Sequence, residues 1–373
     1  MVIAEKQLTT VSMEWDAATL KSIKAVAACA MRRTTKPVLG SVLMYTEGNT
    51  LTVTAGSLTE RFTRTLDVDT YGAPHVAVCL DAAVLRGLKV SKGKRLRVDM
   101  SSAAVTIDGL RSLGIDAREY PNAPKMDASK LTRYELYADY FDSLAACVPF
   151  AATSETRPVL MGICHRGSEV MSTDTYRMLR CRPCVTFGTD ITVPASVAGT
   201  LKTLFPSRAT LDTDGYWARY TSADTTAYVR LIEGAYPDLT RIWPTSYLYQ
   251  GSIPSPAQWA TPFRQAASIQ RAHKVENLVA MLELAPGEDI YITAKNPDQE
   301  YTAELPVDTL PYSERVTRAV NAAYFADALD AVPDDGAVLG LARGSRPEDG
   351  LFTLISPDNK RQALVLGVRL AHQ

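Results

Sequence analysis

The chain carries one order of predicted elements three times, at a spacing of about 120 residues. In each copy a helix precedes strands with a sharp polar turn, more strand and a second, shorter helix. The first helices are predicted to begin near Ala17, Tyr137 and Gln258, and the second near Asp81, Ala195 and Asn321. Solenoid units are about 20–50 residues long, so this longer repeat predicts three whole domains, at 1–127, 128–247 and 248–373.

Local patterns in the first copy predict helices packed on antiparallel strands. Asp16 is a typical N-cap, and Leu20, Ile23 and Val26 then fall on one helical face. Apolar residues alternate over 96–100, as in a half-buried strand. The predicted fold class is therefore α+β, with three tandem copies of a domain in which two helices pack on antiparallel sheet. Tandem copies favour closure by symmetry, which indicates a ring rather than an active site.

Composition limits the classes of function that the chain can serve. Of its 373 residues, 46% are hydrophobic and 22% are charged, which is ordinary for a soluble globular protein. No apolar run approaches the roughly 18 residues of a membrane helix, and no apolar signal segment opens the chain. We therefore expect a cytoplasmic protein with no membrane partner. The formal net charge is −1, so contact with nucleic acid requires local segregation of charge or topological linkage.

Basic residues are concentrated in or just after four of the six predicted helices. They are Lys21, Lys24, Arg32, Arg33, Arg86, Lys89, Lys202, Arg208, Arg264, Arg271 and Lys274. The other two helices are acidic, with Asp139 and Asp142 in one and Asp327 and Asp330 in the other. Either these are ordinary solvated faces, or the basic residues share a surface that faces the phosphates of DNA.

The pattern of cysteines and the absence of a nucleotide-binding motif argue against catalysis. The six cysteines are Cys29, Cys79, Cys147, Cys164, Cys181 and Cys184. Their surroundings are mostly apolar, which is typical of reduced thiols in a core. Cys181 and Cys184 have the spacing of a redox or metal pair, but no second pair and no paired histidines accompany them. No phosphate-binding Gly-x-x-x-x-Gly-Lys-Ser/Thr motif occurs, so ATP hydrolysis is not predicted. We also expect neither a metal nor a cofactor.

Several segments resemble the bacterial sliding clamp, the beta subunit of the replicative DNA polymerase III. Residues 232–239, Ile-Glu-Gly-Ala-Tyr-Pro-Asp-Leu, are similar to that family's Ile-(Asp/Glu)-Gly-x-Phe-Pro-Asp-Tyr signature. Residues 173–178, Thr-Asp-Thr-Tyr-Arg-Met, resemble its Thr-Asp-Gly-His-Arg-Leu turn, and 366–370, Leu-Gly-Val-Arg-Leu, its terminal Met-Pro-Met-Arg-Leu. Residues 157–163 and 296–300 resemble further family segments, so the similarity extends over essentially the whole chain.

The resemblance implies a head-to-tail homodimer whose six domains form a ring, with helices inside, sheets outside and duplex DNA in the channel. It implies a processivity factor that is not an enzyme. Such a ring tethers the replicative DNA polymerase and repair proteins that carry clamp-binding peptides. Because a closed ring has to be opened, the resemblance also implies a separate clamp loader.

The resemblance further implies a hydrophobic pocket for clamp-binding peptides. Carried over position by position, it is lined by Leu160, Thr173, Thr175, Tyr176, Arg177, Met178, Pro237, Arg241, Ile242, Leu364, Val365, Leu366 and Arg369. The apolar members suit aliphatic and aromatic anchors, and Arg177 and Arg241 suit a Gln side chain or a peptide carbonyl. Without the resemblance, most of these residues would be assigned to a strand core.

Three positions depart from the family pattern, and two other functions stay open. Thr175 and Tyr176 stand in place of Gly and His, and Gly367 in place of Pro, which predicts a changed peptide specificity in a divergent member. The first alternative is a repeat-built adaptor that binds peptides without encircling DNA. The second is an enzyme that uses Cys181 and Cys184.

Overall fold

A computed structural model describes residues 10–72, 75–272, 278–309, 314–343 and 350–369. The chain divides into two compact units. Unit 1 consists of Met1–Phe141 and Val197–Leu231, and unit 2 of Asp142–Ser196 and Ile232–Gln373. Helices and antiparallel strands recur in the predicted order three times, so the α+β fold class is confirmed. The domain boundaries at 127 and 247 stay a prediction.

The first run of elements has two helices and nine strands. In chain order they are β1 (Thr10–Trp15), α1 (Ala17–Ala27), β2 (Ser41–Glu47), β3 (Thr50–Gly56), β4 (Glu60–Asp67), β5 (Thr70–Gly72), β6 (His75–Asp81), α2 (Ala82–Gly87), β7 (Leu96–Ser101), β8 (Ala104–Ile107) and β9 (Leu110–Leu113). Asp16 caps α1 as predicted, because its carboxylate accepts from the Thr19 amide at 2.8 Å. Leu20, Ile23 and Val26 are buried on one face of the helix.

The second run follows the same order. Its elements are β10 (Thr132–Tyr137), α3 (Ala138–Cys147), β11 (Gly162–Gly167), β12 (Glu169–Thr173), β13 (Arg177–Cys181), β14 (Phe187–Pro194), α4 (Ala198–Leu204), β15 (Arg208–Thr213), β16 (Trp217–Thr221) and β17 (Thr225–Arg230). The helix predicted from Ala195 opens with a 3-10 turn over Ala195–Val197, and α4 begins after it. Such turns are frequent at helix ends because they satisfy groups that the α-helix leaves unpaired.

The third run completes the described chain. Its elements are β18 (Tyr249–Ile253), α5 (Pro256–Ala272), β19 (Val279–Leu284), β20 (Ile290–Lys295), β21 (Glu300–Leu305), β22 (Asp308–Thr309), β23 (Val316–Asn321), α6 (Ala322–Ala331), β24 (Ala337–Arg343), β25 (Gly350–Ile355) and β26 (Arg361–Leu366). After the end of β26, the Gly367 amide still donates to the Gly350 carbonyl of β25, and the Val368 amide donates to the Ala319 carbonyl of β23.

The strands of unit 1 form two antiparallel sheets. One has the order β5-β1-β7-β8-β9, and the other the order β10-β15-β16-β17-β4-β3-β2-β6. In the larger sheet β17, from the second run, pairs with β4, from the first, so that Val229 lies opposite Glu60. An ion pair of 2.8 Å between Arg64 and Asp224 stands beside this junction.

The strands of unit 2 form two further antiparallel sheets. Their orders are β14-β11-β12-β13-β26-β25-β24-β18-β22 and β21-β20-β19-β23. Here β26, from the third run, pairs with β13, from the second, and Val365 lies opposite Arg177. The same junction is therefore built twice: the fourth strand of one run pairs with the last strand of the next.

Candidate peptide-binding site and basic helices

A tight turn joins β12 to β13 and carries several of the predicted pocket residues. The Asp174 carboxylate accepts from the backbone amides of Tyr176 and Arg177, both at 3.0 Å. The Thr173 hydroxyl accepts from the Thr175 amide at 3.1 Å. Side-chain acceptors of this kind supply the partners that turn amides lack. The turn is thus fixed, with Thr175 and Tyr176 at its exposed end.

The backbone of Thr175 lies in the left-handed region, with φ at 81°. A β-branched residue adopts this conformation rarely, at a cost of about 1–3 kcal/mol. Glycine, which the family pattern has here, adopts it without strain. The departure at Thr175 therefore stores strain in the turn that presents Tyr176.

Arg177 is enclosed by partners within unit 2. Its Nε atom lies 2.9 Å from the Asp174 carboxylate, and its Nη1 atom donates to Asp327 on α6. The guanidinium carbon is 4.0 Å from the ring centroid of Tyr324 and 5.4 Å from that of Phe150. Only 10% of the side chain is exposed, so Arg177 holds Tyr324 against the turn. Its predicted contact with a peptide carbonyl stays a prediction.

Three predicted pocket residues lie in a buried apolar cluster, which we call the floor cluster. Its members are Leu160, Cys164, Met171, Met178, Tyr236, Leu239 and Leu364. Met178 and Leu364 are direct partners on β13 and β26. Leu160 enters from the 3-10 turn Pro158–Met161. Burial of apolar surface at about 25 cal/mol per Å² makes this cluster a source of stability whether or not a ligand binds.

Other predicted apolar residues are exposed, and we call them the rim residues. Tyr176 is 61% exposed, Ile242 43% and Leu366 40%. The Leu366 amide donates to the Tyr176 carbonyl at 2.9 Å, which ties the turn to the end of β26. Ile242 precedes Trp243, whose side chain packs against the floor cluster. Exposed apolar groups that are joined in this way are the part of the site that a ligand can cover.

The remaining predicted pocket residues differ in accessibility. Val365 is buried, whereas Pro237 and Arg369 are exposed. The Arg241 side chain is 90% exposed, with its Nε atom 3.9 Å from the Asp238 carboxylate. Of the two arginines predicted to contact a peptide, Arg241 is therefore the accessible one.

Two aromatic residues at the site were missed by sequence reasoning. The ring centroid of Tyr324, on α6, lies 6.4 Å from that of Tyr176. The indole of Trp243 lies 4.3 Å from the guanidinium carbon of Arg180. The Trp243 Nε1 atom is a buried donor without a hydrogen-bond partner in the described part of the chain. No local pattern signals these contacts, because both join segments far apart in sequence.

Tyr236 belongs to the 232–239 motif and supports the turn between β12 and β13 through a hydrogen bond. Its hydroxyl accepts from the Thr173 amide at 3.0 Å. Burial raises the pKa of the Tyr236 phenol above its usual range, so the ring is neutral at physiological pH. The motif is therefore a structural support of the site.

In unit 1, two of the predicted DNA-facing cations bridge α1 and α2. The Lys24 ammonium donates to the Leu88 carbonyl at 2.7 Å, and the Arg86 guanidinium donates to the Ala27 carbonyl at 3.0 Å. Both carbonyls lie at helix C-termini, where a cation is favoured. The other predicted cations of this unit are exposed: Lys21, Arg32, Arg33, Lys89, Lys202 and Arg208. Arg208 pairs with Glu135 at 2.8 Å.

In unit 2, the acidic helix α6 supplies partners for two arginines. Arg264 on α5 pairs with Asp330, and Arg177 pairs with Asp327. Arg271 is exposed in the last turn of α5, and Lys274 lies outside the described residues. Asp327 and Asp330, which make α6 acidic, therefore serve as ion-pair partners within the unit.

Cys181 and Cys184, which have the spacing of a redox or metal pair, differ in accessibility. Cys181 is fully buried, whereas Cys184 is exposed. The expectation of core thiols is wrong for Cys184. Across the described ranges, no three His, Cys, Asp or Glu side chains form a group that could hold a metal ion. None of the described helices combines the length and apolar character needed to cross a membrane.

Curated relatives are similar over part of the chain. The beta sliding clamps of Staphylococcus aureus strains Mu50 and MW2 are 25% identical over 235 residues, which is 60% of this chain and 60% of each relative. The chain thus matches less than two thirds of their length. No model of a known protein family matches the chain.

Solved structures match nearly the whole chain. A sliding clamp from Bacillus subtilis superposes with a TM-score of 0.82 at 18% identity, over 98% of this chain and 100% of that one. The beta subunit from Streptococcus pyogenes gives 0.82 at 17%, over 96% and 100%. A Pseudomonas aeruginosa clamp bound to griselimycin gives 0.79 at 19%, over 96% and 100%. The chain has the sliding-clamp fold, and the resemblance inferred from its sequence motifs is confirmed.

Proposed function

We propose that this chain, which has the fold of the bacterial DNA polymerase sliding clamps, is a DNA processivity factor. Two copies form a ring around duplex DNA and tether the replicative DNA polymerase and repair proteins through the peptide-binding site. A clamp loader opens the ring. The observation that carries the proposal is the match to sliding clamps from end to end, at TM-scores of about 0.8. The protein acts by binding and catalyses no reaction.

Strand edges support closure of the ring by a second copy. At both internal junctions, the fourth strand of one run pairs with the last strand of the next. β21 is the fourth strand of the third run. By the same rule it pairs with the last strand of a first run, which is β9 of another copy. Within the described residues, β9 and β21 each end their sheet. An unpaired edge is a template for pairing with another chain.

The two edges are also chemically complementary. β9 exposes Leu110 at 54% and Leu113 at 74%, with Arg111 between them. β21 exposes Glu300 and Glu304. Apolar area and opposite charge both favour a contact of β9 with β21. A head-to-tail contact of this kind closes into a ring when its rotation returns to the start.

The basic helices support contact with DNA. Lys21, Arg32, Arg33 and Lys89 are exposed on or just after α1 and α2. Lysine and arginine at phosphates give an attraction that does not depend on base sequence and weakens with salt. Because the net charge of the chain is only −1, this attraction is local. Topological linkage then resists dissociation while weak contacts permit sliding.

The rim residues support binding of partner peptides. Tyr176, Ile242 and Leu366 offer exposed apolar area beside a rigid floor. Arg241, whose side chain is 90% exposed, is a donor that a peptide carbonyl can satisfy. A preformed apolar site with a few polar donors is typical of peptide recognition.

Trapping on blocked DNA tests the proposal without a loader. A linear duplex is fixed to a bead at one end, the protein threads over the free end, and that end is capped with streptavidin. The bead is then washed in about 1 M salt, where the Debye length is about 3 Å and charge contacts are screened. We expect the protein to stay on capped DNA and to leave when a nuclease cuts the duplex.

Charge reversal separates the DNA role from the fold. Lys21→Glu with Lys89→Glu is expected to reduce threading, whereas Lys94→Glu with Lys360→Glu, which changes exposed lysines in loops, serves as the matched control. Equal loss from capped and uncapped DNA contradicts a ring. That result favours the adaptor that binds peptides without encircling DNA.

A further inference from the structure

The turn that presents the rim residues has a counterpart in unit 1. Between β3 and β4, the Ser57 hydroxyl accepts from the amides of Thr59 and Glu60 at 3.1 and 3.2 Å. This repeats the role of Asp174 in the β12–β13 turn. The Arg230 amide donates to the Thr59 carbonyl at 2.8 Å, just as the Leu366 amide donates to the Tyr176 carbonyl.

The support beneath the turn is repeated as well. Tyr120-Pro121-Asn122 follows the first run as Tyr236-Pro237-Asp238 follows the second, and both tyrosines are buried. A 3-10 turn over Pro37–Gly40 holds Leu39 at 4% exposure, as Pro158–Met161 holds Leu160 at 3%. Both leucine carbonyls accept a backbone hydrogen bond from the segment after the first helix, at 3.0 and 2.8 Å. The two turns and the segments that support them therefore have the same architecture in both units.

In unit 1 this architecture encloses a cleft of about 210 Å³. We call it the unit 1 cleft; its walls include Leu58, Trp217 and Pro121, with Arg61, Lys125 and Glu60 among them. Leu58 is 60% exposed beside the cleft, although it is apolar. Ligand pockets for drug-sized molecules are about 300–1,000 Å³, so this volume suits one or two side chains of a peptide.

The cleft differs from the floor cluster in charge. Arg61 stands where unit 2 has Met178; it donates to the Pro121 carbonyl at 2.5 Å, and its guanidinium carbon lies 5.3 Å from the Tyr120 ring centroid. Lys125 is exposed at the place of Arg241. Desolvation holds the pKa of Arg61 below its usual range, but the group stays charged at physiological pH.

One carboxyl group, that of Glu60, also lines the cleft. Glu60 has no ion-pair partner among the described residues, and burial raises its pKa. The lining thus holds two cations, Arg61 and Lys125, and one acid, which favours an anionic ligand.

We propose that the unit 1 cleft is a second docking site, for a partner peptide that places an apolar side chain next to acidic residues. The apolar side chain packs on Leu58, Trp217 and Pro121, and the carboxylates meet Arg61 and Lys125. The proposal rests on the proposed function only in assuming that the repeated site serves partner peptides. Apolar walls and the Glu60 carboxyl argue against a nucleic-acid backbone as the occupant.

Fluorescence anisotropy with two probe peptides tests the proposal. The first probe is fluorescein-labelled Asp-Leu-Phe-Asp-Asp, and the second has lysine in place of each aspartate. Both are titrated into the full chain carrying Leu366→Lys, which disables the rim residues of unit 2. We expect saturable binding of the acidic probe, about tenfold weaker after Leu58→Asp or Lys125→Glu. Lys94→Glu, an exposed lysine outside the cleft, leaves it unchanged.

Tryptophan emission locates the bound probe. An unlabelled acidic peptide is expected to change the emission of the chain, and Trp217→Phe removes that change while Trp243→Phe, in unit 2, preserves it. Absence of saturable binding, or binding that neither cleft variant weakens, overturns the proposal. So does displacement of the acidic probe by a short duplex DNA, which assigns the cations to phosphates. Retention on capped DNA is independent of these results, so the processivity proposal can hold while this one fails.

Discussion

The turns at 57–60 and 174–177 share a backbone but not a chemistry. Each begins with a side-chain acceptor, Ser57 or Asp174, that binds the amides two and three residues further on. Beyond this, Glu60 stands where the other turn has Arg177. Small polar acceptors therefore fix the shape of both turns, while the other positions of each turn differ in charge and polarity.

The largest effects are expected where both regions use the same buried leucine. Leu39→Ala and Leu160→Ala each remove a side chain that is at most 4% exposed. Each is expected to cost about 2–5 kcal/mol in urea unfolding, because a cavity remains in a packed core. Similar losses in the two variants support a shared architecture of the two regions. A loss below about 1 kcal/mol in either variant contradicts it, because that leucine then supports no core.

The next effect separates the two regions. Arg177→Met leaves the carboxylates of Asp174 and Asp327 without their partner and is expected to cost about 3 kcal/mol. Glu60→Met removes a carboxyl that has no ion-pair partner among the described residues, so its cost is expected to stay below about 1 kcal/mol. Urea unfolding measures both. Equal losses contradict the view that only the unit 2 turn depends on an ion-pair network.

A pH-dependent difference is expected one strand away from each turn. His165 is the fourth residue of β11, Met44 is the fourth of β2, and both are fully buried. Burial lowers the pKa of His165 from 6.5 to about 4. Below pH 6.5 the unfolded chain binds a proton that the folded chain refuses, so stability falls as the pH drops towards 4.

The variant His165→Met gives unit 2 the residue of unit 1 and isolates this effect. Between about pH 8 and pH 5, the natural chain is expected to lose about 2 kcal/mol more stability than the variant. Urea titrations at both pH values measure the difference. Parallel pH profiles for the two proteins contradict a buried neutral His165.

The smallest effect concerns backbone strain at the turn. Thr175→Gly is expected to stabilise the chain by about 1 kcal/mol, because φ at this position is 81°. Leu58, the counterpart in unit 1, does not have a positive φ, so Leu58→Gly is expected to destabilise by about 0.5–1 kcal/mol. Thermal unfolding compares the two variants. Effects of the same sign show that the turns do not differ in strain.

Local patterns predicted the elements well. Asp16 identified the start of α1, and alternation over 96–100 identified β7, because capping and periodicity are local properties of the sequence. The motif at 232–239 identified the support of the site, since Tyr236 reaches the turn directly.

Contacts between segments that are far apart in the sequence could not be predicted from local patterns. Nothing local pairs Arg177 with Asp327 or brings Tyr176 next to Tyr324, since these contacts exist only once β13 and α6 are packed together. Tertiary packing likewise decides which residues of the predicted pocket are buried and which are exposed. Leu364 and Leu366 are two residues apart on β26, yet one is 2% and the other 40% exposed.

The molar mass in solution tests the ring most directly. In light scattering after size exclusion, we expect one species at twice the 40.7 kDa of the chain, because β9 and β21 pair between copies. Leu113→Lys on β9 is expected to shift this species towards the single chain, whereas Leu58→Asp, away from that edge, is not. A natural chain that stays at 40.7 kDa at micromolar concentration contradicts the ring, since a single copy leaves both edges unpaired.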